Sequence, residues 1–502
     1  MDRLLSLLAE MRSAGGPART RGLDDAVIRR FAASQPRLRA AIEEAHQRFQ
    51  ALRRERPELI ALEEGAQVRA VQEGILNFYP EDAVNPFVAI AARGPWLVTL
   101  KGAVIHDCGG YGMLGFGHAP ERVLAALAGT QVMANIMTPS LSQLRLVEAL
   151  RREIGHRRAE GCPYAKFFCL NSGSEAVTLA GRLADVNVKL QTDPGARHAG
   201  RSVRRIAVRG SFHGRTEHPA LYSDSTRRTY AQHLASARHH DHLIAIEPYD
   251  VAALERAFAE AEANGWFIEA VFLEPVMGEG DPGRALTPEF YAAARELTLR
   301  HDSLLLIDSI QAGLRAHGVL SVVDYPGFER LPPPDLETYS KALNAGQFPL
   351  SVLAATERAA ALYRKGIYGN TMTANPTRPR LRGGGARVAH AGTAAQHRRA
   401  RPRVRRAAQP AGAGARRADH PRPGHRAAGL LRAGAGVQVL RQPTASRTSS
   451  APRVIGVIHG GANSLRFTPP FDISSEELEL VVNAVRHALL HGPRQTVAAA
   501  AA

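Results

Sequence analysis

Between about residue 120 and residue 367 the chain alternates short apolar runs with longer amphipathic stretches, and this rhythm restricts its possible folds more than any other feature. The runs RIAVRG, AVFLEPV, LLLIDSI and LSVLAAT are separated by segments such as DVAALERAFAEAEANG, where apolar residues recur at helical spacing. Strand, helix, strand in that order predicts an α/β domain with a largely parallel sheet. In such sheets ligands collect at the carboxyl ends of the strands, where loops and helix N-termini supply polar groups. The polar motifs of this chain fall at those ends.

The flanking sequence reads differently. Residues 1 to about 75 interleave charged and apolar residues at three and four spacing and predict a helical arm or cap without a catalytic signature. The division expected is an N-terminal helical arm and segment (1–120), a large α/β domain (121–367), a small C-terminal domain (368–490) and a disordered tail (491–502). Within the third part, VIGVIHGGANSLRFTPPFDISSEELELVVNAVRHALLHG predicts two short strands and a closing helix. Ser474 or Ser475 would cap that helix, with Glu476 and Glu477 in its positive first turn. The opening MDRLLSLLAEMRSAGG carries Asp2, Glu10 and Arg12 around a short apolar core, so neither a signal peptide nor a membrane anchor is indicated. Cys108, Cys162 and Cys169 are too few and too irregular for a disulfide framework, which favours core thiols and a reducing, cytoplasmic home.

A formal net charge of +17 raises nucleic acid or an anionic membrane as a partner, but the charge is confined to one block. Residues 377 to 453 hold 18 Arg, no Lys, one acid (Asp419) and no Phe, Trp or Tyr, and the rest of the chain is neutral. Without aromatic residues the block lacks stacking platforms for bases, which argues against nucleic-acid binding. Its bias towards Ala, Arg, Gly, Pro and His is what GC-rich codons give when read out of frame, with a natural basic segment as the alternative. Such a composition buries too little apolar surface to offset its ordering entropy and predicts irregular chain.

Taken singly, the polar motifs have plain readings. Asn171-Ser172-Gly173-Ser174-Glu175-Ala176 follows the apolar FFCL run and precedes a helical stretch, so it is either an anion site or merely a cap. Asp308 ends LLLIDSI as a strand-tip carboxylate or a helix cap. Lys341, in Glu337-Thr338-Tyr339-Ser340-Lys341-Ala342-Leu343, could be a surface lysine.

Their order and spacing form one constellation. NSGSEA, SFHGRT, EPVMGEG, DSIQAG, SKAL, GNTMTANP and LRFTPP together resemble the class III aminotransferases, the ornithine, acetylornithine and 4-aminobutyrate type, over roughly residues 80–376 and 454–490. The resemblance implies fold type I of the pyridoxal 5'-phosphate (PLP) enzymes: a large domain with a mostly parallel sheet and a smaller α+β C-terminal domain, here disrupted at 377–453. It implies that Lys341 holds PLP as a Schiff base and then moves the substrate proton. Gly173 and Ser174 would hold the phosphate, Phe212 would stack on the ring, and Asp308 would keep the ring nitrogen protonated. Gln311 would reach the phenolic oxygen. Thr371 would reach the phosphate of a neighbouring subunit, which implies a homodimer. Arg466 would grip the substrate carboxylate, and Glu274 would lie near the substrate or serve as a buried structural carboxylate.

Two departures stand out. The family usually has Asp-Glu at the strand end, where this chain has Asp308-Ser309, and its Arg-Thr-Gly ending appears as Ala316-His317-Gly318 with the arginine displaced to Arg315. The expected activity is PLP-dependent transfer of an amino group from an amino acid or amine to a 2-oxo acid, with an aminomutase or decarboxylase on the same fold as the alternative. No nucleic acid or membrane partner is expected.

Overall fold

A computed structural model describes residues 2–79, 84–127, 137–239, 242–371, 430–432, 455–456, 458–460 and 464–491. The irregularity expected of 377–453 and the tail expected at 491–502 therefore fall outside the described residues, apart from 430–432 and His491.

Three strands open the chain's first sheet: β1 (Ala89–Arg93), β2 (Trp96–Thr99) and β3 (Val104–Asp107). Seven more build the main sheet: β4 (Lys166–Leu170), β5 (Ser202–Val208), β6 (Leu243–Ile246), β7 (Trp266–Leu273), β8 (Leu304–Asp308), β9 (Leu336–Tyr339) and β10 (Ser351–Ala355). Their order is β4-β10-β9-β8-β7-β5-β6. β6, β5, β7, β8 and β9 pair in parallel, and β10 runs antiparallel to both β9 and β4. The largely parallel sheet predicted from the sequence is thus present, with one reversed strand.

The apolar runs of β7 and β8 lack polar alternation because both faces of the sheet are covered. Ile206, Val208, Val271, Leu273, Leu305 and Ile307 face helices Val251–Ala263 and Pro288–Arg300, through Leu254, Phe258, Phe290 and Ala294. Their neighbours Ala207, Ala270, Phe272, Leu304 and Leu306 face helix Gly173–Thr192 through Ala176, Leu179, Ala180 and Leu183. This two-residue alternation sends each strand's side chains to opposite layers. Each fully buried Leu, Ile or Phe contributes about 1.5–3 kcal/mol. Cys162 and Cys169 pack against the first of these clusters, and no disulfide joins any of the three cysteines.

Helices Asp2–Ser13, Asp25–Ser34, Pro36–Glu55, Pro57–Ala61 and Glu64–Gln72 form the helical region expected at the N-terminus. They share a core with the first sheet: Leu8, Met11, Phe31, Ile42 and Phe49 pack with Trp96 and Val98. Lys101 is buried beneath them and donates to the carbonyls of Ala14 and Gly16 at 3.0 and 2.9 Å.

Past the block, the chain forms β12 (Ile455–Gly456), β13 (Ile458–Gly460) and β14 (Ser464–Arg466), one strand more than expected. β12 joins the first sheet parallel to β3, while β14 lies between β13 and β11 (Leu430–Arg432). Helix Ser475–His491 closes the chain. Ser474 is its cap: its Oγ accepts from Glu477 N at 3.2 Å, and Glu477 Oε2 accepts from Ser474 N at 2.7 Å. Such a reciprocal capping box is worth about 1 kcal/mol.

Candidate active site

Of the residues named from the sequence, Gly173, Ser174, Phe212, Glu274, Asp308, Gln311 and Lys341 lie at or just past the carboxyl ends of main-sheet strands, while Arg466 comes from β14 and Thr371 from the chain after β10. β4 leads through Asn171 and Ser172 into helix Gly173–Thr192, whose capping box joins Ser172 and Glu175. A Cβ on Gly173 would meet Ile310 Cδ1 at 2.6 Å, so only glycine lets the helix start this close to the strand-end turn after Asp308. The first-turn amides of Gly173 and Ser174 sit at the positive end of a 20-residue helix and could hold a phosphate.

β8 delivers Asp308, which is 3% exposed. One of its oxygens accepts from Ile310 N at 3.1 Å and from Thr338 Oγ1 at 3.2 Å, the residue opposite it on β9. The other lies 2.9 Å from His213 Nδ1. His213 belongs to the SFHGRT turn after β5, beside Phe212, whose half-buried ring carries the Arg215 guanidinium 5.2 Å from its centre. Phe212 N donates to Glu274 Oε2 at 3.1 Å, and Gly278 N donates to Glu274 Oε1 at 3.0 Å. Burial, reinforced by the nearby Asp308 charge and opposed by His213, pushes the Glu274 carboxyl up to about 7.

Lys341 follows β9 as the first residue of the turn Lys341–Asn344, with φ +45. The left-handed backbone at a non-glycine residue costs on the order of 1–3 kcal/mol, which the surrounding packing must sustain. Burial, and then the charge of Arg466, lower the Lys341 ammonium to about 8, against the opposing pull of Glu279, Asp308 and Glu274. An amine so placed is neutral in part near neutral pH.

Arg466, at the end of β14, is 5% exposed. Its Nη1 donates to Gly278 O at 2.5 Å and Gln311 Oε1 at 2.8 Å, its Nη2 lies 3.5 Å from Glu279 Oε2, and its guanidinium sits 5.4 Å from the Tyr111 ring centre. Glu279 also stands 3.8 Å from Arg215. The carboxylate facing Arg466 is therefore Glu279, whereas Glu274 spends both oxygens on backbone amides.

Thr371 is exposed, and the residues before it dock on the start of helix Gly173–Thr192 through Asn370 Nδ2 and Glu175 Oε1 at 3.1 Å. The rest of GNTMTANP lies outside the described residues. Residues without a role in the sequence reading also line the site: His213, Glu279, Tyr111 and Gly112. His213 and Glu279 lie within motifs quoted for the resemblance, but Tyr111 and Gly112 belong to a segment with no such motif.

The unpaired polar atoms test whether this site suits PLP. Gln311 Nε2 is buried without a hydrogen-bond partner, and Arg466 Nη2 makes no hydrogen bond beyond its 3.5 Å ion pair with Glu279. A buried donor left unpaired costs about 1–3 kcal/mol, so the site is shaped for a ligand bearing acceptor oxygens. With a partly neutral lysine, a buried aspartate and a helix N-terminus around the same space, the residues fit the cofactor.

A family model for class-III aminotransferases matches residues 78–489, and the chain belongs to that family. Among curated relatives, the acetylornithine aminotransferase of Neisseria meningitidis serogroup B is 31% identical over 304 residues, covering 59% of this chain and 68% of the relative. That of Mycolicibacterium smegmatis is 31% identical over 296 residues, covering 56% and 66%. The fold is similar to that of ornithine aminotransferase from Toxoplasma gondii, with TM-score 0.67 and 20% identity over 88% of this chain and 98% of that one. A second structure of the same parasite enzyme is described with PLP at its active site. The protein is a fold type I, PLP-dependent aminotransferase, and the comparisons favour amino-group transfer over an aminomutase or decarboxylase. Among the described residues, no helix is long and apolar enough to cross a membrane.

Proposed function

We propose that the amino donor is a carboxylate-bearing amino acid of the ornithine or acetylornithine kind, that a 2-oxo acid collects the amine in a second half-reaction, and that the strand-end residues divide the work between cofactor and substrate. The observation that carries this reading is the meeting of Lys341, at the turn after β9, with the buried Asp308 at the end of β8 and the buried Arg466 of β14, whose charge helps lower the lysine.

PLP, when bound, supplies a carbonyl carbon that takes up the donor's amine and a ring that accepts electrons from the adjacent carbon. Gly173 and Ser174 hold its phosphate through backbone N–H groups, and Thr371 adds a hydroxyl to the phosphate of a second subunit. Phe212 plates one face of the ring. Asp308, fixed by His213, Thr338 and Ile310 N, would supply the carboxylate that keeps the ring nitrogen protonated. Gln311, whose Nε2 has no hydrogen-bond partner in the protein, would donate to the phenolic oxygen.

Lys341 Nζ would hold the cofactor and, when free, would take the proton from the donor carbon and act as the base that moves it. Arg466 orients the donor through its carboxylate, for which Glu279 must give way. Glu274 keeps the Phe212 and Gly278 amides in place, so its contribution is to the shape of the site rather than to direct substrate contact.

Two segments leave large apolar side chains in solvent: Ile75, Leu76 and Phe78 at 68, 102 and 72% exposure, and Met137, Leu141 and Leu144 at 82, 71 and 55%. Surfaces of this kind usually meet a partner, and a second copy of this chain, as Thr371 requires, is the occupant we assign. Three cysteines outside any disulfide suit a cytoplasmic setting.

Lys341→Ala tests the central assignment. The variant is expected to lose the borohydride-reducible visible band of the holoenzyme and to transfer amino groups on the order of 10²–10⁴-fold more slowly. A variant that keeps a reducible band sinks the assignment.

A further inference from the structure

Arg315 is the arginine that stands one position early relative to the family's Arg-Thr-Gly ending, and it is 5% exposed. Its Nε donates to Gly112 O at 3.2 Å, its Nη1 to Pro469 O at 2.5 Å and its Nη2 to Thr468 O at 2.9 Å. The guanidinium also lies 5.1 Å from the Phe471 ring centre. One planar fork thus joins three stretches of chain: the turn after Asp308, the glycine-rich loop after β3, and the segment that leaves β14.

The same stretches are stitched together around it. Thr468 N donates to Cys108 O at 2.7 Å, Gly112 N lies 3.4 Å from Thr468 Oγ1, and Phe471 N donates to Gly115 O at 2.7 Å. Thr468 is two residues beyond Arg466. Gly112 follows Tyr111, whose ring underlies the Arg466 guanidinium, and a Cβ on Gly112 would come within 3.8 Å of Lys341 Cδ and 4.0 Å of Arg315 Nε. Arg315 therefore ties together the two segments that carry Arg466 and Tyr111, through Thr468 and Pro469 on one side and Gly112 on the other.

We propose that Arg315 is a positioning residue for the carboxylate site, fixing Arg466 and Tyr111 relative to each other so that a donor carboxylate is held with its amine at Lys341. This rests on the reading of Arg466 given above. Only a guanidinium meets the geometry: three N–H groups in one plane reach three carbonyls that diverge, whereas an ammonium is a point charge without that fork. The displaced position also follows from the packing. Ala316, where the family pattern puts arginine, is 2% exposed and part of the main apolar cluster, so a guanidinium there would lie in the core.

The test uses holoenzyme carrying Arg315→Met, Arg315→Lys or Arg466→Ala. Glutarate, a dicarboxylate without an amine, serves as the binding probe, followed through the cofactor's absorbance. n-Butylamine, an amine without a carboxylate, serves as a donor that needs no carboxylate site. Arg315→Met is expected to weaken glutarate and raise the amino-acid KM by about tenfold, since a misplacement of the order of 1 Å costs one to two powers of ten. The butylamine half-reaction should slow by less than about threefold. Arg315→Lys, which keeps the charge and removes the fork, should show the same split to a smaller degree, and it answers the question should the methionine variant not fold.

The outcomes separate the two readings. If Arg466→Ala binds glutarate like the unmodified protein, the carboxylate role of Arg466 fails, and this proposal with it. If Arg466→Ala loses glutarate while both Arg315 variants bind it normally, the positioning role alone is overturned. Parallel loss of glutarate binding, cofactor absorbance and butylamine turnover in the Arg315 variants would mark a structural residue and overturn it equally.

Discussion

The cofactor side of the site and its carboxylate side are built in opposite ways. Asp308, Lys341, Phe212 and Gly173 each stand within a few residues of the end of a main-sheet strand, so the hydrogen-bonded ladder fixes their separation. Arg466 instead depends on Gly278, Glu279, Gln311 and Tyr111, and its bonds to Gly278 and Gln311 span 188 and 155 residues. A pocket framed by strand ends keeps its geometry as long as the sheet stands. One closed by distant loops depends on every connection between them, and damage there should appear in substrate affinity before it appears in cofactor chemistry.

The sharpest way to break that contrast is to alter the cofactor side without moving it. Asp308→Asn keeps an acceptor for Ile310 N and Thr338 but removes the negative charge. Proton removal from the donor should slow on the order of 10²-fold, as when one preorganised electrostatic contact is lost at a reacting centre. Cofactor affinity should change much less, and single-turnover absorbance kinetics beside a cofactor titration would separate the two. Equal losses of rate and affinity would mean that Asp308 binds rather than activates.

The same contrast explains how much of the site was legible in the sequence. An apolar run that ends in Asp308, or an FFCL run that opens onto Asn171-Ser172-Gly173, carries its geometry locally, because the strand and the helix start are encoded by neighbouring residues. The expected roles of Thr371 and of residues beyond it depend on a second subunit and on chain outside the described residues. That Glu279 pairs with Arg466 while Glu274 turns to backbone amides could not be read: both carboxylates lie in EPVMGEG, and only tertiary packing decides between them. Tyr111 and Gly112 sit in the part of the first 120 residues that follows the helical arm, where no motif marks a site. They reach the site because β3 and β12 pair across some 350 residues of sequence, a contact without local periodicity. The capping of the last helix by Ser474 was narrowed to two serines by pattern, and hydrogen bonding selects one.

A second, smaller effect bears on the carboxylate side. Glu279 is 23% exposed at the side chain and faces both Arg466 and Arg215, so under the role proposed for Arg466 it would compete with an incoming carboxylate. Glu279→Gln removes the competing charge at a partly solvated pair worth roughly 1 kcal/mol. Glutarate should then bind several-fold more tightly, about fivefold by that figure, with the cofactor spectrum unaltered. Weaker binding in this variant would show that Glu279 holds Arg466 in its competent position instead of blocking it.

The smallest expected effect links the two sides through charge alone. In the apoprotein, burial is the leading cause of the lowered Lys341 pKa and Arg466 the next, so acylation of Lys341 by a water-soluble reagent should rise with pH about a midpoint near 8. Below that midpoint the amine is protonated and unreactive, and above it the free base reacts. Arg466→Met removes a positive charge that disfavours the ammonium, so the midpoint should move upward. It should stop well short of the ordinary 10.5, because the desolvation that dominates the shift is untouched. The sign for stability follows from the same numbers: a lysine charged in the unfolded chain but depressed on folding opposes folding below about 8, and that penalty fades as pH rises from about 8 towards 10.5. Peptide mass spectrometry of the acylated site across pH would read the midpoint directly. A downward movement in Arg466→Met would mean that Glu279, freed from its arginine, has turned away from Lys341, and the carboxylate side would then be coupled to the lysine by rearrangement as well as by field.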